Sequence, residues 1–260
     1  MTIDKRALSK VPAVTLGFWI VKILATTLGE TGGDTVTMTL GWGYLAGTAL
    51  FLSLLVGLVV SQIRATVFNP TLYWTTIVAS TIFGTTMADF AYRSLGIGYA
   101  GGATLLATCL IAILAFWHRL EGTVSVDTVA TPRVEALYWV TITVSQTLGT
   151  ALGDWAADSG DLGYGGGALL FGAGLALLLV LSTWTTVSRT MLFWAAFILT
   201  RPLGATVGDF LDKPVIDGGM ALSRPLASLV IGAAVIGLLL VLPQRAGRHP
   251  GAINPAPTHV

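Results

Sequence analysis

Charge is what this chain has least of. Asp, Glu, Lys and Arg make up 10% of its 260 residues, against 54% apolar residues and a mean hydropathy of +0.79. Soluble globular chains carry about 25% charged residues, so a water-facing surface over the whole molecule is excluded. Cysteine is nearly absent too. The single Cys109 sits in an apolar run and rules out an intrachain disulfide or a cysteine-based metal cluster. Of three histidines, His118, His249 and His259, two lie in the C-terminal tail and no paired axial arrangement for haem is visible. No Ser/His/Asp grouping, phosphate-binding loop or dinucleotide fingerprint occurs, since the Gly163–Gly167 run opens an apolar segment instead. The expectation is therefore no enzyme, no cofactor and no ATP-driven pump. The net charge of +1 says nothing about nucleic acid, but no basic block is long enough to track phosphates, so nucleic acid is not an expected partner. Residues 1–13 are basic and run into the first apolar segment without a small-residue cleavage site, so no cleavable signal peptide is expected.

Long apolar runs are abundant. Leu45 to Ile63, Ala103 to Trp117 with its flanks, Ala168 to Trp184 and Ala227 to Leu242 approach or reach the roughly 20 residues that cross a bilayer as a helix. Each follows one copy of a repeated pattern: Trp, nine residues, Gly, four residues, Asp, eight residues, Gly. The copies are Trp19/Gly29/Asp34/Gly43, Trp74/Gly84/Asp89/Gly98, Trp139/Gly149/Asp154/Gly163 and Trp194/Gly204/Asp209/Gly218. The stretch around each Trp is also apolar but richer in Thr, Ser and Gly, as a helix facing other helices or a polar path would be. Two spans per repeat predict an all-α polytopic membrane protein with eight transmembrane helices, arranged as four parallel two-helix repeats.

The repeats fall at approximately 14–64, 69–119, 134–184 and 189–243 in a single membrane domain. Trp-to-Trp offsets of 55, 65 and 55 residues place the extra ten in a polar linker, 121–133, between halves. A closed bundle of four hairpins about a pseudo-symmetric axis is the simplest packing, and a looser pair of pairs the alternative. Gly43-x3-Gly47, Gly98-x3-Gly102 and Gly163-x3-Gly167 predict close approach of helix backbones. Repeat four departs, with Leu222 at the corresponding place and Arg224-Pro225 following. Phe18, Tyr73, Tyr138 and Phe193 precede the four Trp residues, and the eight rings read as an interfacial aromatic belt.

Charge position predicts topology. Lys5, Arg6, Lys10, Arg64, Arg119, Arg133, Arg189, Arg245 and Arg248 lie before a repeat or after its second helix, whereas Arg93, Lys213 and Arg224 lie near the loop inside one. By the positive-inside rule both termini, including the 244–260 tail, face the cytoplasm.

The repeated Asp is the principal chemical candidate. At 100° per residue, positions eight and eleven after the Trp share its face. They are Thr27 and Glu30, Ile82 and Thr85, Thr147 and Thr150, then Pro202 and Ala205. Carboxylate and hydroxyl oxygens suit hard cations or manganese, and repulsion among clustered carboxylates favours cation or proton binding. Asp34, Asp89, Asp154, Asp209 and Glu30 are the candidate metal ligands, with Thr27, Thr85, Thr147 and Thr150 as neutral donors. The bland alternative is that each Asp ends its helix and is simply solvated, or caps the next turn through its side-chain oxygen. Lys22, Glu30 and Arg201 are charges that no other repeat has at the aligned place, with Glu30–Arg201 and Glu30–Lys22 the available pairings. Arg201-Pro202 is expected to open its helix locally.

With W-x9-G-x4-D-x8-G repeated from about residue 14 to 243, the chain resembles a class of bacterial membrane proteins built from four tandem repeats of unknown function. Each repeat in that class has two transmembrane segments and a characteristic Trp. The resemblance implies a bacterial multi-pass inner-membrane protein and carries no activity. The residues themselves predict a transporter or channel for a cation, a divalent metal among the candidates. The alternatives are a small organic anion transporter using Lys22 and Arg201, or a non-transporting scaffold or sensor. The expected partners are the lipid bilayer and a small ion or solute.

Overall fold

A computed structural model describes residues 8–160 and 162–248; Lys5, Arg6, Asp161, His249 and His259 lie outside the described residues. Eight long helices follow the repeats: α1 (Leu16–Asp34), α2 (Tyr44–Arg64), α3 (Pro70–Asp89), α4 (Tyr99–Glu121), α5 (Pro132–Asp154), α6 (Gly163–Trp184), α7 (Arg189–Asp212) and α8 (Arg224–Val241). Helices α1, α3 and α5 start on side-chain caps. Thr15, Asn69 and Thr131 each accept a hydrogen bond from the amide three residues on, and Pro70 and Pro132 occupy the first turn, where no amide donor is needed. After Asp34, Asp89 and Asp154 the helix widens into a single π turn, and no Asp side chain caps it. The capping alternative is therefore not what the Asp residues do.

The inner helices α1, α3, α5 and α7 close into a ring, each touching the next and α7 returning to α1. The outer helices do not pack on their own partners. Helix α2 lies on α3, α4 on α5, α6 on α7, and α8 returns to α1. Each hairpin is thus opened out and hands its second helix to the following repeat. Five helices, α2, α4, α6, α7 and α8, are long and apolar enough to cross a membrane. The outer four bury only 11% to 22% of their apolar windows, so their remaining surface requires an apolar medium. Helices α1, α3 and α5 are less apolar because their Thr, Ser, Gln and charged residues face the ring.

The repeated Gly is the seam of that ring. A Cβ on Gly29 would lie 2.4 Å from Thr81 Cβ, on Gly84 2.9 Å from the Gln146 carbonyl carbon, on Gly149 2.4 Å from Arg201 Cβ, and on Gly204 2.5 Å from Thr26 Cβ. Each notch therefore receives the residue seven places after the next repeat's Trp, and only glycine leaves the space. In three of the four motifs the closing Gly serves the turn: Gly43, Gly163 and Gly218 adopt positive φ, which a side chain disfavours, whereas Gly98 has a φ of −61°.

The Trp residues correct the aromatic-belt expectation. Trp74, Trp139 and Trp194 are buried and Trp19 is half-buried. Each ring meets the aromatic that precedes the Trp of the repeat before it, as Phe18–Trp74, Tyr73–Trp139, Tyr138–Trp194 and Phe193–Trp19, with centroids 5.5 to 6.3 Å apart. Tyr73 and Tyr138 hydroxyls share a hydrogen bond of 2.6 Å. This end of the ring, the Trp end, is a packed aromatic core. A small sheet not anticipated in the sequence lies beside it: β1 (Leu8–Pro12) pairs antiparallel with β2 (Ala246–Arg248). Lys10 reaches in from β1 to pair with buried Glu135.

Candidate functional site

Along each inner helix, positions 3, 7, 11 and 15 after the Trp form one row, four residues apart. Helix α1 contributes Lys22, Thr26, Glu30 and Asp34; α3, Ile77, Thr81, Thr85 and Asp89; α5, Ile142, Gln146, Thr150 and Asp154; α7, Phe197, Arg201, Ala205 and Asp209. All sixteen are buried. Together they stack as four layers inside the ring, from the aromatic core up to the Asp end.

The lowest layer is apolar except for Lys22, whose Nζ lies 4.1 Å above the centroid of Phe197 and has no hydrogen-bond partner among the described residues. It does not pair with Glu30.

Arg201 rises from the second layer into the third. Its Nη2 shares its two hydrogens among Glu30 Oε2 at 3.0 Å, Thr85 Oγ1 at 2.5 Å and Thr150 Oγ1 at 2.6 Å. These are the eleventh-position residues of the other three repeats. Arg201's own repeat has Ala205 there, which leaves room for the guanidinium. Helix α7 runs unbroken through Pro202, contrary to the expected local opening, and Gly149 opposite supplies the space instead.

The fourth layer holds the Asp quartet. Glu30, Asp34 and Asp209 each present an oxygen, and these oxygens lie within 4.8 Å of one another. Lys213 Nζ stands between two of them, 2.8 Å from Asp34 Oδ2 and 2.9 Å from Asp209 Oδ1. Burial opposes the Lys213 charge, but Asp209, Asp34 and Asp212 outweigh it and hold its pKa above the ordinary lysine value. Arg224 Nε lies 3.2 Å from Asp212 and 3.6 Å from Asp34. Asp89 pairs with Arg93 at 2.7 Å. Asp154 has no ion-pair partner among the described residues; Glu30, Asp209 and Asp89 act on it as like charges and Arg93 as the opposite one. Asp34 Oδ1 is buried with no hydrogen-bond partner among the described residues.

Of the candidates from sequence, Glu30, the four Asp residues, Thr85, Thr150 and Arg201 are brought together here. Thr27 and Thr147 are not: their hydroxyls donate to Ile23 and Thr143 carbonyls of their own helices. Thr26, Thr81 and Gln146 line the ring without having been singled out, although their four-residue spacing was visible. Lys213, Arg224 and Asp212 complete the upper layer, and the broken pattern of repeat four marked their neighbourhood. A separate cavity of about 680 Å³ between α1, α6 and α7 at the Trp end holds none of the repeated acids.

The family described as Repeat of Unknown Function (DUF347) matches at residues 17–68, 72–123, 137–188 and 192–245. The chain belongs to this family. Each DUF347 segment begins just before its Trp and contains one inner and one outer helix, so the ring of notches and layers is built by the repeat itself. No curated protein and no solved structure matches the chain.

Proposed function

We propose that this protein is a membrane transporter for a divalent metal cation, exchanged against protons. One observation carries the reading: a buried excess of acid around a compact oxygen cluster. Among the described residues, six buried carboxylates (Glu30, Asp34, Asp89, Asp154, Asp209 and Asp212) share the upper layers with four cations (Arg93, Arg201, Lys213 and Arg224), leaving two negative charges unmatched. Unpaired buried charge is costly, so two protons or one dication must complete the site. Glu30, Asp34 and Asp209 supply the hard oxygen donors that manganese, calcium or magnesium prefer. Arg201 is already committed to Glu30, which favours a cation over a carboxylate-bearing substrate.

In this reading all eight helices span the inner membrane of a bacterium, with the polar rows of α1, α3 and α5 shielded by the outer helices. The basic residues at the Trp end, with both chain ends, face the cytoplasm, and the Asp end faces outward. The cation occupies the upper layer, and the Glu30–Arg201 contact closes the path beneath it. Passage requires that contact to open and the aromatic core to part, so the two closures can alternate. Manganese uptake into proteoliposomes tests the proposal. Flux is expected from the wild type and its loss from Asp34→Asn, Asp209→Asn and Glu30→Gln. Undiminished flux in folded Asp34→Asn and Asp209→Asn variants would sink it.

A further inference from the structure

The fourth repeat leaves its Asp differently from the other three. Helix α7 stays α-helical to Asp212, and Lys213-Pro214 then begin a loop that folds back on the helix. The amides of Met220, Ala221 and Leu222 donate to the carbonyls of Phe210, Lys213 and Leu211 at 2.8, 2.9 and 2.8 Å, while the Lys213 amide donates to the Asp209 carbonyl at 2.9 Å. Ala221 takes a φ of 55° to close the loop, a conformation costly for a residue with a side chain. Gly219 makes the return possible, because a Cβ there would lie 2.1 Å from the Lys213 carbonyl oxygen. The loop thus holds the Lys213 backbone in place while its side chain reaches Asp34 and Asp209.

The ammonium occupies the space that a cation bound to those carboxylates would need, since metal–oxygen bonds are about 2.0 to 2.6 Å. Both cannot sit there. An alternative seat is close: Asp212 Oδ1, buried and without a hydrogen-bond partner among the described residues, lies 4.0 Å from Lys213 Nζ.

We propose that Lys213 is a tethered occupant of the carboxylate cradle, and that the substrate cation binds by displacing it toward Asp212. The inference rests on the cation reading above and names what sets affinity and charge selectivity. Lys213 keeps its charge beside Asp212, so a monovalent ion matches one of the two unmatched negative charges and a dication matches both.

Two measurements test this, with Mn²⁺ as the probe. The first is the rate at which Lys213 in the full-length protein is modified by an amine-specific reagent. Saturating Mn²⁺ is expected to raise it several-fold. The second is Mn²⁺ affinity in the wild type, Lys213→Met and Gly219→Ala. Removing the tethered competitor is expected to tighten binding on the order of tenfold or more. Gly219→Ala keeps the lysine charge but displaces the loop, so tighter binding there separates displacement from charge removal. Mn²⁺ binding with Lys213 labelling unchanged or slowed overturns the inference but leaves the cation reading standing. So does wild-type affinity in a folded Gly219→Ala variant. Absence of Mn²⁺ binding in all three proteins overturns both.

Discussion

The contact between Glu30 and Arg201 can be dissected by a double-mutant cycle. Arg201 is fully buried and Glu30 is 3% exposed, so neither charge has water to fall back on. Arg201→Met removes the donor of three short hydrogen bonds and leaves Glu30 uncompensated; breaking such a buried pair costs about 3–5 kcal/mol. Glu30→Gln leaves the guanidinium with only the Thr85 and Thr150 hydroxyls and the weaker Thr26 carbonyl contact at 3.5 Å, at a cost of similar order. With both changes no charge is stranded, and the amide introduced by Glu30→Gln retains the Thr85 hydroxyl as a neighbour. The double variant is then expected to be more stable than the sum of the singles by about 2–4 kcal/mol. Neutral interhelical hydrogen bonds in membrane proteins couple by about 0.6 kcal/mol, with roughly 1.7 as the largest value, so the measured coupling separates an ion pair from a neutral contact. Reversible unfolding in detergent, followed by helix content, supplies the four free energies. Additive effects, or coupling below about 1 kcal/mol, would refute the charged pair.

Three further outcomes follow from the packing and the charges. Gly84→Ala forces a Cβ to within 3.0 Å of Gln146 and Thr147 backbone atoms and is expected to cost about 1–3 kcal/mol. Gly57→Ala on α2 meets nothing within 4 Å among the described residues and is expected to be neutral or stabilising by up to about 1 kcal/mol, both read from unfolding midpoints. Tyr73→Phe or Tyr138→Phe strands one buried hydroxyl at about 1–3 kcal/mol, whereas the double variant is expected to lie close to the wild type. Because Lys213 has its pKa held above the ordinary lysine value, its contribution to stability is complete below that value and is lost only as pH passes the raised one. The stability difference between wild type and Lys213→Met is therefore expected to stay flat from about pH 8 to about pH 10, and a decline over that range would contradict the pairing.

Much of this arrangement was legible from periodicity. The exact repeats gave the number of helices and the four acids, and the apolar runs identified the outer helices. What periodicity could not show was which neighbour each helix meets. A two-helix repeat reads the same whether its second helix folds on its own partner or on the next. The Trp residues were misplaced for a related reason: an aromatic at the start of an apolar helix suits an interface or a core equally well, and the pairing of Phe18 with Trp74 spans two repeats. Thr27 and Thr147 entered the candidate site because a fixed face of a straight helix was followed. The residues facing the axis lie on a four-residue ridge, which turns gradually around each helix and is the surface that helix packing uses. That ridge passes through Thr26, Thr81 and Gln146 instead. Lys213 broke the pattern visibly, but nothing in its spacing indicated that the loop returns its ammonium to Asp34.

Titration calorimetry of Mn²⁺ into the purified protein tests most directly whether the acid cluster takes a divalent cation in exchange for protons. Repeating the titration in buffers of different ionisation enthalpy counts the protons released per ion bound. One bound Mn²⁺ per chain is expected, with release of up to two protons, the unmatched charge of the six carboxylates over the four cations, and with both signals lost in Asp34→Asn/Asp209→Asn. No binding by the wild type, or binding without proton release that survives the double substitution, would contradict the account.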